Sequence, residues 1–116
     1  DFGIGFFTKY GDGGVDISPI ADLTKSEVKK LAIFCGVNQK IVEQPPTDGL
    51  WEDGRTDEDQ IGTTYIELEW AMNYDNKKPL SKNKEKILNI YKRLNAQNKH
   101  KMIAIPICKI PAKFRN

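Results

Sequence analysis

Twice in this chain a threonine stands three residues before a glutamate, at Thr24–Glu27 and at Thr64–Glu67, each opening an apolar run. In such a capping box the hydroxyl accepts one orphan backbone N–H and the carboxylate another. Each pair therefore sets where a helix begins. After Thr24, the residues Val28, Leu31, Ala32 and Cys35 recur at helical spacing, and Gly36 supplies a stop. Pro45 and Pro46 end any continuation through Ile41 and Val42. After Thr64 a second helix is predicted through Tyr65, Leu68, Glu69 and Met72. A third is predicted over about residues 81–96, with Ile87, Ile90, Tyr91 and Leu94 on one face and Lys82, Lys84, Lys86, Asn89 and Arg93 on the other.

Between these helices the pattern is irregular. Residues 46–62 have three glycines and the acid run Asp57, Glu58, Asp59, with no period, and read as a loop. A structureless stretch of that length inside a compact domain is usually functional, so 46–62 is expected to be a lid. The tail "MIAIPICKIPAKFRN" has β-branched residues, two prolines and no helical period, and is expected to be extended. The opening stretch could continue a strand–loop unit. The whole inventory suits the second half of an α/β protein better than an independent domain. The chain also opens on Asp1 without an initiator Met, and is expected to be part of something longer.

Composition narrows the class. At 39% hydrophobic and 29% charged residues, the chain is of globular rather than disordered type. No run approaches the roughly 18 apolar residues of a membrane span. Cys35 and Cys108 are far apart and lack metal-ligand spacing, which favours a reduced, cytoplasmic setting. The net charge of +2 conceals a division: residues 1–76 sum to −9 and residues 77–116 to +11. That asymmetry fits a solvated basic face, a phosphate-rich ligand, nucleic acid, or complementary packing of the two halves or of two subunits. Little aromatic interleaving and no recognised motif weigh against nucleic acid.

The stretch "GFFTKYGDGGVDISPI" carries the chemistry to be explained. It is neither a Walker loop nor a dinucleotide fingerprint, and it lacks the bidentate acid of a calcium loop. Lys25 lies in the first turn of the capped helix, where backbone N–H groups and the helix dipole favour an anion. An exposed surface lysine is the plainer reading. The acid run at 57–59 could meet a hard cation or simply be solvated. His100, the only histidine, lies among lysines in "NKHKM", either as an exposed side chain or as part of a cationic clamp.

"GFFTKYGDGGVDISPIADLTKSEV", followed by "PPTDGLWEDGRTDEDQIGTTYIELEW", closely resembles the C-terminal half of ammonia-dependent NAD⁺ synthetases. The likeness runs from Asp1 to about Trp70 and resumes at "KHKM". It implies an α/β, Rossmann-like nucleotide-binding fold of the adenine nucleotide alpha-hydrolase type, of which this chain would be the mostly helical C-terminal half. It implies a homodimeric ligase that adenylates deamido-NAD⁺ with ATP and Mg²⁺, then amidates it with ammonia. By the same resemblance Lys9 and Asp16 belong to the deamido-NAD⁺ site, with Asp16 in a catalytic role. Phe6 or Phe7 would face the nicotinate ring. His100 and Lys101 would reach that site from the partner subunit. Lys25 and Thr47 would contact ATP, and residues 47–60 would close over the adenylate. The magnesium ligand would be Asp1 or an acid just upstream. The family's SGGxDS pyrophosphate motif does not occur here, so the chain alone is expected to be inactive. The synthetase domain of a glutamine-dependent NAD⁺ synthetase shares these features and remains an alternative.

Overall fold

The computed structural model describes residues 3–115, and among them helices are joined by turns with no β-strand. Six α-helices follow in order: α1 Lys25–Phe34, α2 Gln39–Glu43, α3 Asp57–Ile61, α4 Tyr65–Met72, α5 Lys82–Gln97 and α6 Lys99–Met102. A 3₁₀ turn, Ala112–Phe114, ends the chain. The opening that could have continued a strand is turn from Gly3 to Gly5.

Both predicted capping boxes form. Thr24 Oγ1 accepts from Glu27 N at 3.4 Å while Glu27 Oε2 accepts from Thr24 N at 2.8 Å. Thr64 and Glu67 repeat the exchange at 3.2 and 3.0 Å, and Thr63 Oγ1 also donates to the Glu67 carboxylate. A third box lies inside the stretch expected to be loop. Thr56 Oγ1 accepts from Asp59 N, Asp59 Oδ2 accepts from Thr56 N, and five residues of helix follow, closed by Gly62 at φ +86°. Five residues are too few to carry a 3.6-residue period, and an aspartate replaces the usual Glu or Gln. Residues 46–56 contain no helix or strand.

Two small apolar clusters hold the molecule together. Ile4, Ile61, Tyr65 and Leu68 form one, covered by Phe6, Tyr91 and Leu94. Ala71, Ile87 and Leu88 form the other, beside Trp70, Tyr74, Leu80 and Tyr91. Tyr65, Leu68 and Ala71 follow one stripe of α4, so this eight-residue helix feeds both clusters. The helix α5 packs on it through the predicted face, and Lys82, Lys84, Lys86, Asn89 and Arg93 are exposed as expected.

The helix α1 forms where its capping box sets it, yet it lies near the surface. None of its residues is buried, and Leu31 is 42% exposed and Phe34 88%. Of its apolar stripe Val28 and Ala32 are half-buried, while Leu31 and Cys35 stay exposed. The molecule is correspondingly open: its radius of gyration is 18.2 Å, against about 13 Å for a compact domain of this length. No described helix is long and apolar enough to cross a membrane.

Leu68→Ala should lower the urea midpoint by the equivalent of about 2–5 kcal/mol, since it opens a cavity where α4 meets the first cluster. Phe34→Ala, at a side chain that packs on little, should change it by less than about 0.5 kcal/mol. The caps add a pH dependence. Hydrogen bonds from the Thr24 backbone and side chain hold Glu27 below the ordinary 4.5. The Thr63 hydroxyl and the Thr64 backbone do the same for Glu67, and Thr56 holds Asp59 below 3.8. A carboxyl depressed in the folded state stabilises fully above its unfolded value and loses that contribution as pH falls through the folded one. Urea midpoints followed by circular dichroism should therefore be flat with respect to these groups near neutral pH and decline below about pH 4.5. Glu67→Gln should blunt the decline.

Candidate functional site

The two ends of the chain meet through polar side chains that satisfy backbone carbonyls. From α5 and the α5–α6 junction, Asn95 Nδ2 donates to Gly3 O at 2.7 Å and Asn98 Nδ2 to Ile4 O at 2.9 Å. Lys101 Nζ donates to Gly5 O at 3.0 Å. In return Lys9 Nζ donates to His100 O at 2.6 Å and Ile103 O at 2.7 Å. These carbonyls lie at the C-terminal end of α6, where a cation also meets the negative end of the helix dipole. Lys9 is thus brought to the main-chain carbonyl of His100, 91 positions away in sequence, and Lys101 to the main chain of Gly5. Within a single chain, both ammonium groups bind main-chain oxygen.

The glycines of the opening stretch serve this tight packing. Gly5 has φ +66°, and a Cβ there would sit 2.3 Å from Asn98 Cβ. At Gly13 a Cβ would lie 2.5 Å from Lys9 O. The turn between them closes with Thr8 N donating to Asp12 Oδ2 at 3.1 Å. The close approach at both glycines is thus made by the chain itself. Phe6 rests against the first apolar cluster and is half-buried, which limits the ring face it can offer. The exposed Asp16 side chain makes no hydrogen bond or ion pair among the described residues. Asp1 lies outside the described residues.

A second constellation surrounds Lys25. Its Nζ stands over the Tyr65 ring, 5.2 Å from the centroid, within the range of a cation–π contact. Tyr65 is 8% exposed, and its hydroxyl donates to Asp57 Oδ2 at 3.0 Å. Burial and the neighbouring Asp57 carboxylate push the phenol well above its ordinary value, so it stays protonated and donating. The N–H of Asp57 donates to Pro46 O at 2.9 Å. Next in sequence, Thr47 Oγ1 donates to Arg55 O at 3.1 Å and accepts from Gly49 N at 3.2 Å, closing the base of the loop between them. Lys25 and Thr47 are therefore linked through Tyr65, Asp57 and Pro46. On the same loop Arg55 pairs with Asp53 and stacks 4.3 Å from the Trp51 ring centroid.

The N-terminal end of α1 departs from what its sequence suggests. Ser26 N, an amide left for an anion in the first turn, donates instead to Glu69 Oε1 at 2.9 Å. The protein's own carboxylate occupies that position, and a phosphate near Lys25 would have to sit beside it or displace it. A cavity of about 380 Å³ lies against this place, walled by Ile4, Leu23, Lys25, Val28, Tyr65 and Glu69 among others. That size suits a nucleoside-sized ligand. Sequence reading missed Tyr65, Asp57 and Glu69 as site residues. Each acts through a tertiary contact, and only the acid run around Asp57 gave any local signal.

No group of three or more His, Cys, Asp or Glu side chains among the described residues is arranged to hold a metal ion.

A family model described as NAD synthase matches residues 1–105. The chain is 41% identical over 113 residues to the NH(3)-dependent NAD(+) synthetase of Syntrophomonas wolfei subsp. wolfei, covering 97% of this chain and 43% of that protein. Against the protein of the same name from Alkaliphilus metalliredigens it is 45% identical over 103 residues, covering 89% of this chain and 39% of that one. A third, from Methanococcoides burtonii, is 58% identical over 62 residues, covering 53% of this chain and 23% of that protein. The chain thus spans less than half the length of these relatives. With a family model matching nearly all of it and relatives above 40% identity along most of its length, the chain belongs to the NAD synthase family.

Proposed function

We propose that this chain is the C-terminal part of an ammonia-dependent NAD⁺ synthetase with the Rossmann-like adenine nucleotide alpha-hydrolase fold. The match over residues 1–105 carries the reading. The enzyme would join ammonia to the nicotinate carboxylate of deamido-NAD⁺. A carboxylate is a poor electrophile, so its oxygen first attacks the α-phosphorus of ATP and pyrophosphate departs. Ammonia then attacks the acyl carbon, loses a proton, and AMP leaves with the bonding pair. Magnesium would accompany ATP and take ligands from outside the described residues.

Within that reaction Lys25 and Thr47 would hold ATP, and residues 47–60 would cover the adenylate and exclude water. Lys9, Asp16, His100, Lys101 and Phe6 would hold deamido-NAD⁺ in a homodimer whose sites are shared across the interface. The gathering of Lys9, His100 and Lys101 supports a common site for these three. The cytoplasm, where ATP and reduced thiols coexist, suits two exposed cysteines.

In an enzyme that joins this chain to its pyrophosphate-binding half, Lys25→Ala should chiefly impair ATP use and Lys9→Ala deamido-NAD⁺ use. Each should cost about 10- to 150-fold in kcat/KM for its own substrate, the loss of a charge-assisted contact of about 1.5–3 kcal/mol. Equal losses on both substrates would refute this division of the site. The isolated chain of 13.2 kDa should release no pyrophosphate from ATP and deamido-NAD⁺, and turnover by it would overturn the requirement for a second half.

A further inference from the structure

We propose that Tyr65 is a positioning residue that couples the Lys25 ammonium to the loop at residues 47–55 through the carboxylate of Asp57. Its placement in an ATP site rests on the function proposed above, but the coupling is a property of the chain itself.

Tyr65 is fixed to α3 at two points. Its hydroxyl donates to Asp57 Oδ2 at 3.0 Å and its backbone N–H donates to Glu58 Oε1 at 2.9 Å. Its ring fills the first apolar cluster, and one face lies under Lys25 Nζ. Asp57 is the first residue of α3, and its N–H ties that helix to Pro46 O, one residue before the loop begins. From the loop base to the lysine there is thus one continuous run of polar and cation–π contacts, with Tyr65 its buried member.

The α4 helix presents Lys25 from two places a turn apart. Tyr65 holds the end of the lysine side chain. Glu69, four residues on, holds the α1 backbone by accepting from Ser26 N. The first turn of α1 is therefore held by polar contacts with α4, beside an apolar stripe that is only half-covered.

The physical coupling is direct. A cation over the ring polarises the phenol and strengthens the hydrogen bond it donates to a carboxylate. When Lys25 is drawn toward a polyphosphate, that bond weakens and the Asp57–Pro46 contact is released or re-set. A lysine engaged by ATP would in this way alter the loop whose base includes Thr47. A purely space-filling Tyr65 predicts no such effect at the loop.

The test uses amide exchange and chemical shifts measured by NMR on the whole chain. Tyr65→Phe, which keeps the ring and removes the donor, should speed exchange of the Asp57 amide by about tenfold. Lys25→Met should shift the amides of residues 47–56 when Tyr65 is present and leave them unmoved in the Tyr65→Phe background. Millimolar ATP should shift the same amides in the unmodified chain and not in Tyr65→Phe. If Tyr65→Phe loses helical circular dichroism, Asp57→Ala replaces it in every comparison. Loop amides insensitive to Lys25→Met, or equally sensitive with and without the phenol, would overturn the coupling. Intact coupling with no response to ATP would uphold the inference and count against the ATP assignment for this chain.

Discussion

Tyr65 has to be buried and polar at once, and much of the molecule is arranged around that demand. Its ring is needed to fill a core of only four buried residues. A buried hydroxyl without a partner would cost about 1–3 kcal/mol, so Asp57 must stand at the right place, and Asp57 stands there because Thr56 caps a helix of five residues. Burial first, and then the carboxylate of Asp57, keep the phenol protonated. The short helix α3, the start of α4 and the first turn of α1 are thereby fixed relative to one another with very little apolar surface.

How much of this was legible follows from the range of each interaction. The boxes at Thr24 and Thr64 are local, three residues wide, and structure and sequence agree on both. The stripe on α5 also read correctly, because a sixteen-residue amphipathic helix repeats its period several times. The short helix after Thr56 was hidden by its length and by the acids around it. The half-covered stripe of α1 shows the limit of periodicity, which locates an apolar face without saying how much of it is covered. Of the site, Lys9, His100 and Lys101 were named from resemblance, and their meeting is visible only in three dimensions. Glu69 was beyond reach of the sequence, since nothing local marks a glutamate that caps another helix forty-three residues away.

The charge division in the sequence is not resolved by pairing. Among the described residues a salt bridge joins Arg55 and Asp53 within the acidic half, while the exposed lysines of α5 make no ion pair with acids of the first half. Other cations turn to carbonyls and rings: Lys9 and Lys101 to main-chain oxygen, Lys84 to the Trp70 ring. Such contacts exploit local dipoles and quadrupoles rather than opposite charge, and they leave the long-range field of the basic segment largely intact.

The clasp between the first turn and the end of α5 has a consequence in time as well as in space. Its contacts span 91 to 96 residues, so each closes a loop nearly as long as the chain, and the entropy of that closure must be met before any of them stabilises the fold. Helices α3, α4 and α5 can assemble from neighbouring segments as they leave the ribosome. The glycine-rich opening cannot: it waits with its carbonyls hydrated until Asn95, Asn98 and Lys101 have been made. The glycine-rich turn is thus expected to settle later than the helices it packs against.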